Sequence, residues 1–78
     1  MNAIQEEKIT ELIESTELFI NAEDAAVILG SRPQDVREAA RMKSTGFPAY
    51  VQNQRVKIPR VPFLRFLGVE VNHDFYVH

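Results

Sequence analysis

The sequence predicts a small α+β fold in which two adjoining helices are followed by a β-hairpin and a closing helix. Its 78 residues allow one domain with one modest core. Two patterns predict this fold: adjoining segments carry helix-capping signals, and a later segment alternates apolar and polar residues around a two-residue turn. The chain is 45% hydrophobic and 26% charged, a composition typical of globular proteins.

The N-terminal segment predicts a separate acidic helix. Residues 2–15 have helical spacing, with Ile9, Leu12 and Ile13 on one face and a glutamate-rich opposite face. Ser15 and Thr16 interrupt this pattern, and the apolar run after them predicts a short strand or an extended lead-in. We therefore expect an acidic helix over residues 1–17, a domain over 18–69 and a tail over 70–78.

Two short helices are predicted next, joined by a tight turn. The first, residues 22–29, lies between an N-cap at Asn21 and the helix-ending Gly30. Ser31 predicts a second N-cap, with a glutamine three residues later to complete a capping box, so the second helix spans about residues 32–43. Two capped helices with this connection predict a helix-turn-helix motif.

A hairpin and a last helix complete the domain. Residues 49–52 and 55–58 flank the turn Asn53-Gln54, and alternation directs Val56 and Ile58 inward and Arg55 and Lys57 outward. Pro59 is expected to stop the strand, and residues 61–67 to form a helix that buries its apolar side chains. Met42 and the phenylalanines are expected in the core or at hinges. The run from Phe75 to Val77 could add a strand or pack on the core.

Charge is distributed unevenly along the chain. The net charge is −2, yet residues 1–24 hold seven acidic residues and a single lysine, whereas residues 25–66 hold eight basic and two acidic residues. The net charge alone argues against nucleic-acid binding. The basic block at residues 25–66 nevertheless indicates a surface that could bind nucleic acid. The alternative is that both blocks are merely solvated surface.

The second helix has a polar face suited to DNA. A helical wheel directs Val36, Ala39, Ala40 and Lys43 to one side, and the opposite side carries Gln34, Arg37, Glu38 and Arg41. Glutamine and arginine form paired hydrogen bonds with adenine and guanine edges in the major groove. Taken alone, the same face is better explained as solvated surface with local ion pairs.

The hairpin favours the DNA-binding interpretation. Its polar face and tip carry amides and cations suited to phosphates or the minor groove, and Arg60 and Arg65 could extend that surface. About six phosphate contacts would reduce affinity on the order of 10³-fold between 50 and 200 mM salt. The predicted DNA-binding residues are Arg32, Gln34, Arg37, Glu38, Arg41, Lys43, Asn53, Gln54, Arg55, Lys57 and Arg60.

The order of these segments resembles the excisionase and AlpA-type proteins of phages and mobile elements, relatives of the MerR DNA-binding domain. The resemblance covers residues 18–69 and rests on AEDAAVILG, SRPQDVREAAR, GFPAYVQNQRVKIPR and VPFLRFL. It implies a winged helix-turn-helix, with the second helix in the major groove and the hairpin as a wing. The resemblance also implies which residues contact DNA. Those at the major groove are Arg32, Gln34, Arg37 and Arg41, and those in the wing are Gln54, Arg55 and Lys57. The turn Asn53-Gln54 departs from the glycine-containing turn usual in that family, and the acidic helix is an addition.

Other function classes have little support. Cysteine is absent, which excludes disulfides and thiolate metal sites, and the glycines stand alone rather than in a phosphate loop. His73, Asp74 and His78 lack metal-site or triad spacing and are expected in a solvated tail. The chain has no bilayer-length apolar run and no signal peptide pattern, so a cytoplasmic protein is expected. We expect no enzymatic activity, cofactor, metal, membrane or small-molecule substrate.

The expected partner is double-stranded DNA. The function is then that of an excisionase or a small transcriptional regulator, and the sequence does not separate the two. One such module binds weakly, so self-association or a recombinase (integrase) partner is also expected. The acidic helix could cover the core, pair two protomers, dock a recombinase or polymerase, or mimic DNA and inhibit the basic face. The alternative function is a protein-interaction module that uses the acidic helix as its working surface.

Overall fold

The computed structural model describes residues 1–71, and within them the chain forms four helices and a three-stranded antiparallel sheet. The elements in chain order are α1 (Ala3–Glu14), β1 (Phe19–Ile20), α2 (Ala22–Leu29), α3 (Pro33–Arg41), β2 (Tyr50–Gln52), β3 (Arg55–Pro59) and α4 (Arg60–Phe66). The α+β class and the order of elements agree with the prediction. The strand suggested at Phe75–Val77 and the residues His73, Asp74 and His78 lie outside the described part.

Helix α1 shares one core with the rest of the chain. Its Leu12 is 3% exposed and belongs to the central apolar cluster. The side-chain amide of Gln5 donates a 3.0 Å hydrogen bond to the carbonyl of Ile28, and Lys8 Nζ lies 3.2 Å from an oxygen of Asp24. The hydrogen bond to Asp24 is the main cause of the raised pKa of Lys8. Helix α1 is therefore packed onto α2 and α4, which agrees with the alternative in which the acidic helix covers the core.

The connection between α2 and α3 differs from the prediction at one residue. Asn21 caps α2, and Gly30 ends it with φ 69° and ψ 30°, as expected. The N-cap of α3 is Arg32, not Ser31, and it forms no side-chain capping hydrogen bond. The reason is Pro33, which disfavours a helical conformation at the residue before it and itself suits the first helical position. The predicted capping box is therefore wrong.

Helix α3 also ends earlier than predicted, at Arg41. Lys43 adopts a left-handed conformation with φ 55°. The N–H of Ser44 then donates to the carbonyl of Ala39 at 2.9 Å, and the N–H of Lys43 to that of Ala40 at 3.1 Å. These two bonds form a Schellman motif, which satisfies carbonyls left free at the helix end. Lys43 consequently leaves the inner stripe of the helix and is exposed.

The strands are ordered β1-β3-β2, so β3 is central and pairs with both neighbours. The predicted hairpin and short first strand are confirmed, although Pro59 is the last residue of β3 rather than the one after it. Both central residues of the turn have positive φ, 51° at Asn53 and 65° at Gln54, as a type I′ turn requires. The alternation of β3 also agrees with the prediction, because Val56 and Ile58 are buried and Arg55 and Lys57 exposed.

The core lies between the inner face of the sheet and the helices. Its most buried large side chains are Phe63, Ile58 and Leu64. Phe47 packs edge to face against Phe63, with ring centroids 4.9 Å apart, which ties the segment after α3 to α4. Met42, expected in the core or at a hinge, is 72% exposed because it follows the last turn of α3 on the outward side.

Candidate nucleic-acid interface

The polar face of α3 is directed outward. Gln34, Glu38 and Arg41 are exposed, whereas Val36 and Ala40 on the opposite side are each 4% exposed. Positions 34, 38 and 41 fall on one helical face because they are spaced by four and three residues. The helix therefore presents an amide, a carboxylate and a guanidinium along one exposed stripe.

Arg37 lies beside this stripe but is held by an acid from the preceding helix. Its guanidinium donates to the carboxylate of Glu23, in the first turn of α2, and its side chain is 31% exposed. The sequence analysis missed Glu23 as a partner, since the two residues are 14 positions apart and no local spacing relates them. Arg37 is thus already neutralised within the protein.

The N-terminal end of α3 contains a second ion pair. The guanidinium of Arg32 donates two hydrogen bonds of 3.1 Å to the carboxylate of Asp35. These bonds lower the pKa of Asp35 and raise that of Arg32. Both side chains are well exposed, at 81% and 50%, so the pair is accessible to a competing anion.

The hairpin presents its cations on the face of the sheet that points away from the helices. Alternation along β3 and its register with β1 and β2 define this outer face, which comprises Phe19, Tyr50, Gln52, Arg55, Lys57 and Pro59. The ammonium of Lys57 lies 5.8 Å from the centroid of the Phe19 ring, a cation–π contact. Asn53 and Gln54 project at the turn beyond the strands.

Four exposed cations in and directly after α3 and in the hairpin form no ion pair with any residue among 1–71. They are Arg41, Lys43, Arg55 and Lys57. Arg41 and Lys43 line a hollow of about 320 Å³ between the end of α3 and β2, together with Tyr50 and Val51. The end of α3 and β2 therefore adjoin at this hollow, whereas Arg55 and Lys57 line a different groove.

Arg60 is not part of this surface, which corrects the prediction that it binds DNA. It is 2% exposed. Its guanidinium donates hydrogen bonds of 2.6 Å to the main-chain carbonyls of Leu12, in the last turn of α1, and Glu17. The side chain points into the protein because Arg60 begins α4 directly after β3, beneath the end of α1. It stabilises the packing of α1 and is inaccessible to phosphate.

A groove of about 700 Å³ separates the hairpin from the beginning of α2, and its two walls have opposite charge. One wall carries Glu17, Glu23 and Asp24, and the other side carries Arg37, Arg55 and Lys57. The acidic wall repels phosphates. A polyanion is therefore favoured along the stripe of α3 and the tip and outer face of the hairpin, and disfavoured at the beginning of α2.

Other kinds of site find no support in residues 1–71. No cluster of histidine, aspartate and glutamate there is arranged to hold a metal ion. Within the same residues, no helix combines the length and the apolar character needed to cross a membrane. Comparison with known proteins gave no match to a family model, to a curated protein or to a solved structure.

Proposed function

We propose that the protein binds double-stranded DNA as a winged helix-turn-helix, with α3 as the recognition helix and the β2–β3 hairpin as the wing. The observation that carries this proposal is a set of exposed cations that form no ion pair among residues 1–71 and lie on both elements: Arg41 and Lys43 at the end of α3, beside β2, and Arg55 and Lys57 on β3. An α-helix fits the major groove, and Gln34 and Arg41 are side-chain types that recognise adenine and guanine edges there. Lys57 and Arg55 suit the adjacent phosphates or the minor groove.

The structure reduces the number of phosphate contacts to expect. Arg60 is buried and Arg37 is paired with Glu23, so in the segment from α3 to the end of the hairpin four exposed cations form no ion pair with any residue among 1–71. Four contacts give a slope of about −3.6 for the logarithm of affinity against that of salt concentration, or a loss of about 10²-fold between 50 and 200 mM. This value replaces the 10³-fold loss expected for six contacts.

The test is a titration of a labelled mixed-sequence duplex at salt concentrations from 50 to 200 mM, followed by fluorescence anisotropy. Replacing Arg41 by alanine is expected to weaken binding and to make the slope shallower by about one. The matched control is Arg65→Ala, which removes the same charge from an exposed position on α4. Equal effects of the two substitutions, or no binding at 50 mM salt, would contradict the proposal and favour a protein-interaction role.

We further propose a biological role as an excisionase or as a small transcriptional regulator. Both roles use the same surface, and they differ in what the protein does to DNA. An excisionase bends its site and acts beside a recombinase, so it should change the mobility of circularly permuted fragments and bind cooperatively with the integrase. A regulator should occupy a promoter without either effect.

A further inference from the structure

We infer that the outer face of the sheet is a stacking surface for single-stranded nucleic acid. This site lies on the sheet rather than on α3, and it overlaps the proposed duplex interface at Arg55 and Lys57. Single strands are bound without sequence preference by aromatic rings on which bases stack, combined with cations that follow the phosphates. The outer face carries both kinds of group.

Two aromatic rings are exposed on this face although nothing in the described core requires them there. Tyr50 is 58% exposed and Phe19 44% exposed. The register aligns Phe19 with Pro59 and Tyr50 with Lys57, so the rings lie on the same face, one on each side of the central strand. Two strand spacings across the sheet and a stagger of two residues along β3 separate their backbones by about 12 Å, which leaves room for two neighbouring bases.

Between the rings, a hollow of about 250 Å³ is lined by Phe19, Tyr50, Pro59 and neighbouring residues. Glu17 is the sole carboxylate among the residues that line it. In the strand register, Glu17 lies beyond the Pro59 end of β3, and it also lines the larger groove that faces Arg55 and Lys57. Its charge disfavours a phosphate at this end of the sheet. The hollow is therefore the aromatic end of the site.

The cations occupy the positions that a bound strand would need. Lys57 lies over the Phe19 ring and directly opposite Tyr50, so one ammonium is close to both stacking positions. Arg55 follows on the same face, paired with Gln52, toward the turn. Residues 49–59 contain no aspartate or glutamate, so the strands themselves present no opposing charge. This combination of rings and cations favours a nucleic-acid strand over an apolar protein partner.

The intrinsic fluorescence of the protein gives a direct test. The chain has two tyrosines and no tryptophan, so replacing Tyr76 by phenylalanine leaves Tyr50 as the reporter. Addition of oligo(dT) or oligo(U) at 50 mM salt is expected to quench Tyr50 emission as the bases stack. In a parallel anisotropy titration, Tyr50→Leu is expected to reduce single-strand affinity at least about fivefold.

Matched variants separate stacking from other effects. Tyr50→Phe keeps the ring and should retain the affinity, whereas Phe66→Leu removes a ring that is 48% exposed on α4 and should have no effect. Gln34 lies on α3, outside the outer face of the sheet, so its replacement should weaken duplex binding and leave single-strand binding unchanged. A protein that binds single strands but no duplex would therefore contradict the duplex proposal without affecting this inference. The inference is overturned if single strands do not bind, if binding leaves Tyr50 unquenched, or if Tyr50→Leu weakens duplex and single strand equally. It is also overturned if the quenching depends on protein concentration alone, since the face would then be covered by a second copy.

Discussion

Substitution of Arg60 by methionine is expected to destabilise the fold strongly, although arginine is a residue type normally found at the surface. The side chain is 2% exposed and binds the carbonyls of Leu12 and Glu17. Methionine fills a similar volume but leaves both carbonyls without this donor. It also removes a positive charge from the C-terminal end of α1, whose last turn contains no basic residue.

The magnitude follows from these two hydrogen bonds. A buried polar group left without its partner costs about 1–3 kcal/mol, so the loss of two predicts a decrease of about 2–6 kcal/mol in the free energy of unfolding. A chain of 78 residues has a total of about 4–12 kcal/mol. The variant should therefore lose a large fraction of its stability, and its melting temperature should fall by at least 10 °C or so.

The assay is urea denaturation followed by circular dichroism at 222 nm, with Arg65→Met as the control. Arg65 is on the same helix but exposed, so its replacement should change stability by less than about 0.5 kcal/mol. Similar stabilities for the two variants would refute the explanation that Arg60 stabilises the fold through its hydrogen bonds to Leu12 and Glu17. A variant at Arg60 that kept its stability but lost duplex binding would instead restore this residue to the DNA interface.

Three further predictions concern α3 and the hairpin. Glu23→Gln should tighten duplex binding and steepen the salt slope by about 0.9, because it releases Arg37; Asp24→Asn, which removes a charge from the same wall, should not steepen the slope. Gln54→Gly should stabilise the protein by about 1 kcal/mol in thermal denaturation, because φ at this position is 65°; a loss of stability would contradict a type I′ turn. The stability difference between the wild type and Asp35→Asn should be fully present above the ordinary aspartate pKa. It should vanish as the pH falls through the lowered pKa of Asp35, and a constant difference in a pH series would contradict the pair with Arg32.

Local signals predicted most of the elements because each depends on neighbouring residues. The cap at Asn21, the left-handed Gly30 and the alternation of β3 are set within a few positions of the chain. The errors arose where two local signals competed. Ser31 is a good capping residue, but Pro33 fixes the conformation of the residue before it and so transfers the cap to Arg32.

The candidate site was harder to predict because it depends on contacts distant in sequence. Arg60 follows a basic strand and precedes an exposed arginine on α4, and only the packing of α1 shows that its partners lie 43 and 48 positions earlier. Glu23 holds Arg37 through the α2–α3 packing for the same reason. Charge patterns locate the basic residues along the chain, but they do not distinguish a cation that is available from one that is paired or buried.

The sheet connects the two proposed activities. Its inner face must be apolar to cover the core, and Val56 and Ile58 satisfy this requirement. Its outer face carries the partly exposed rings of Phe19 and Tyr50, which lie outside the core cluster. Exposed Phe19 and Tyr50 beside Lys57 are the combination of rings and cation that stacking on unpaired bases would use. If α3 binds a duplex, the outer face of the same hairpin is positioned to hold a strand that has left it, which predicts tighter binding to a duplex with a single-stranded extension than to either part alone.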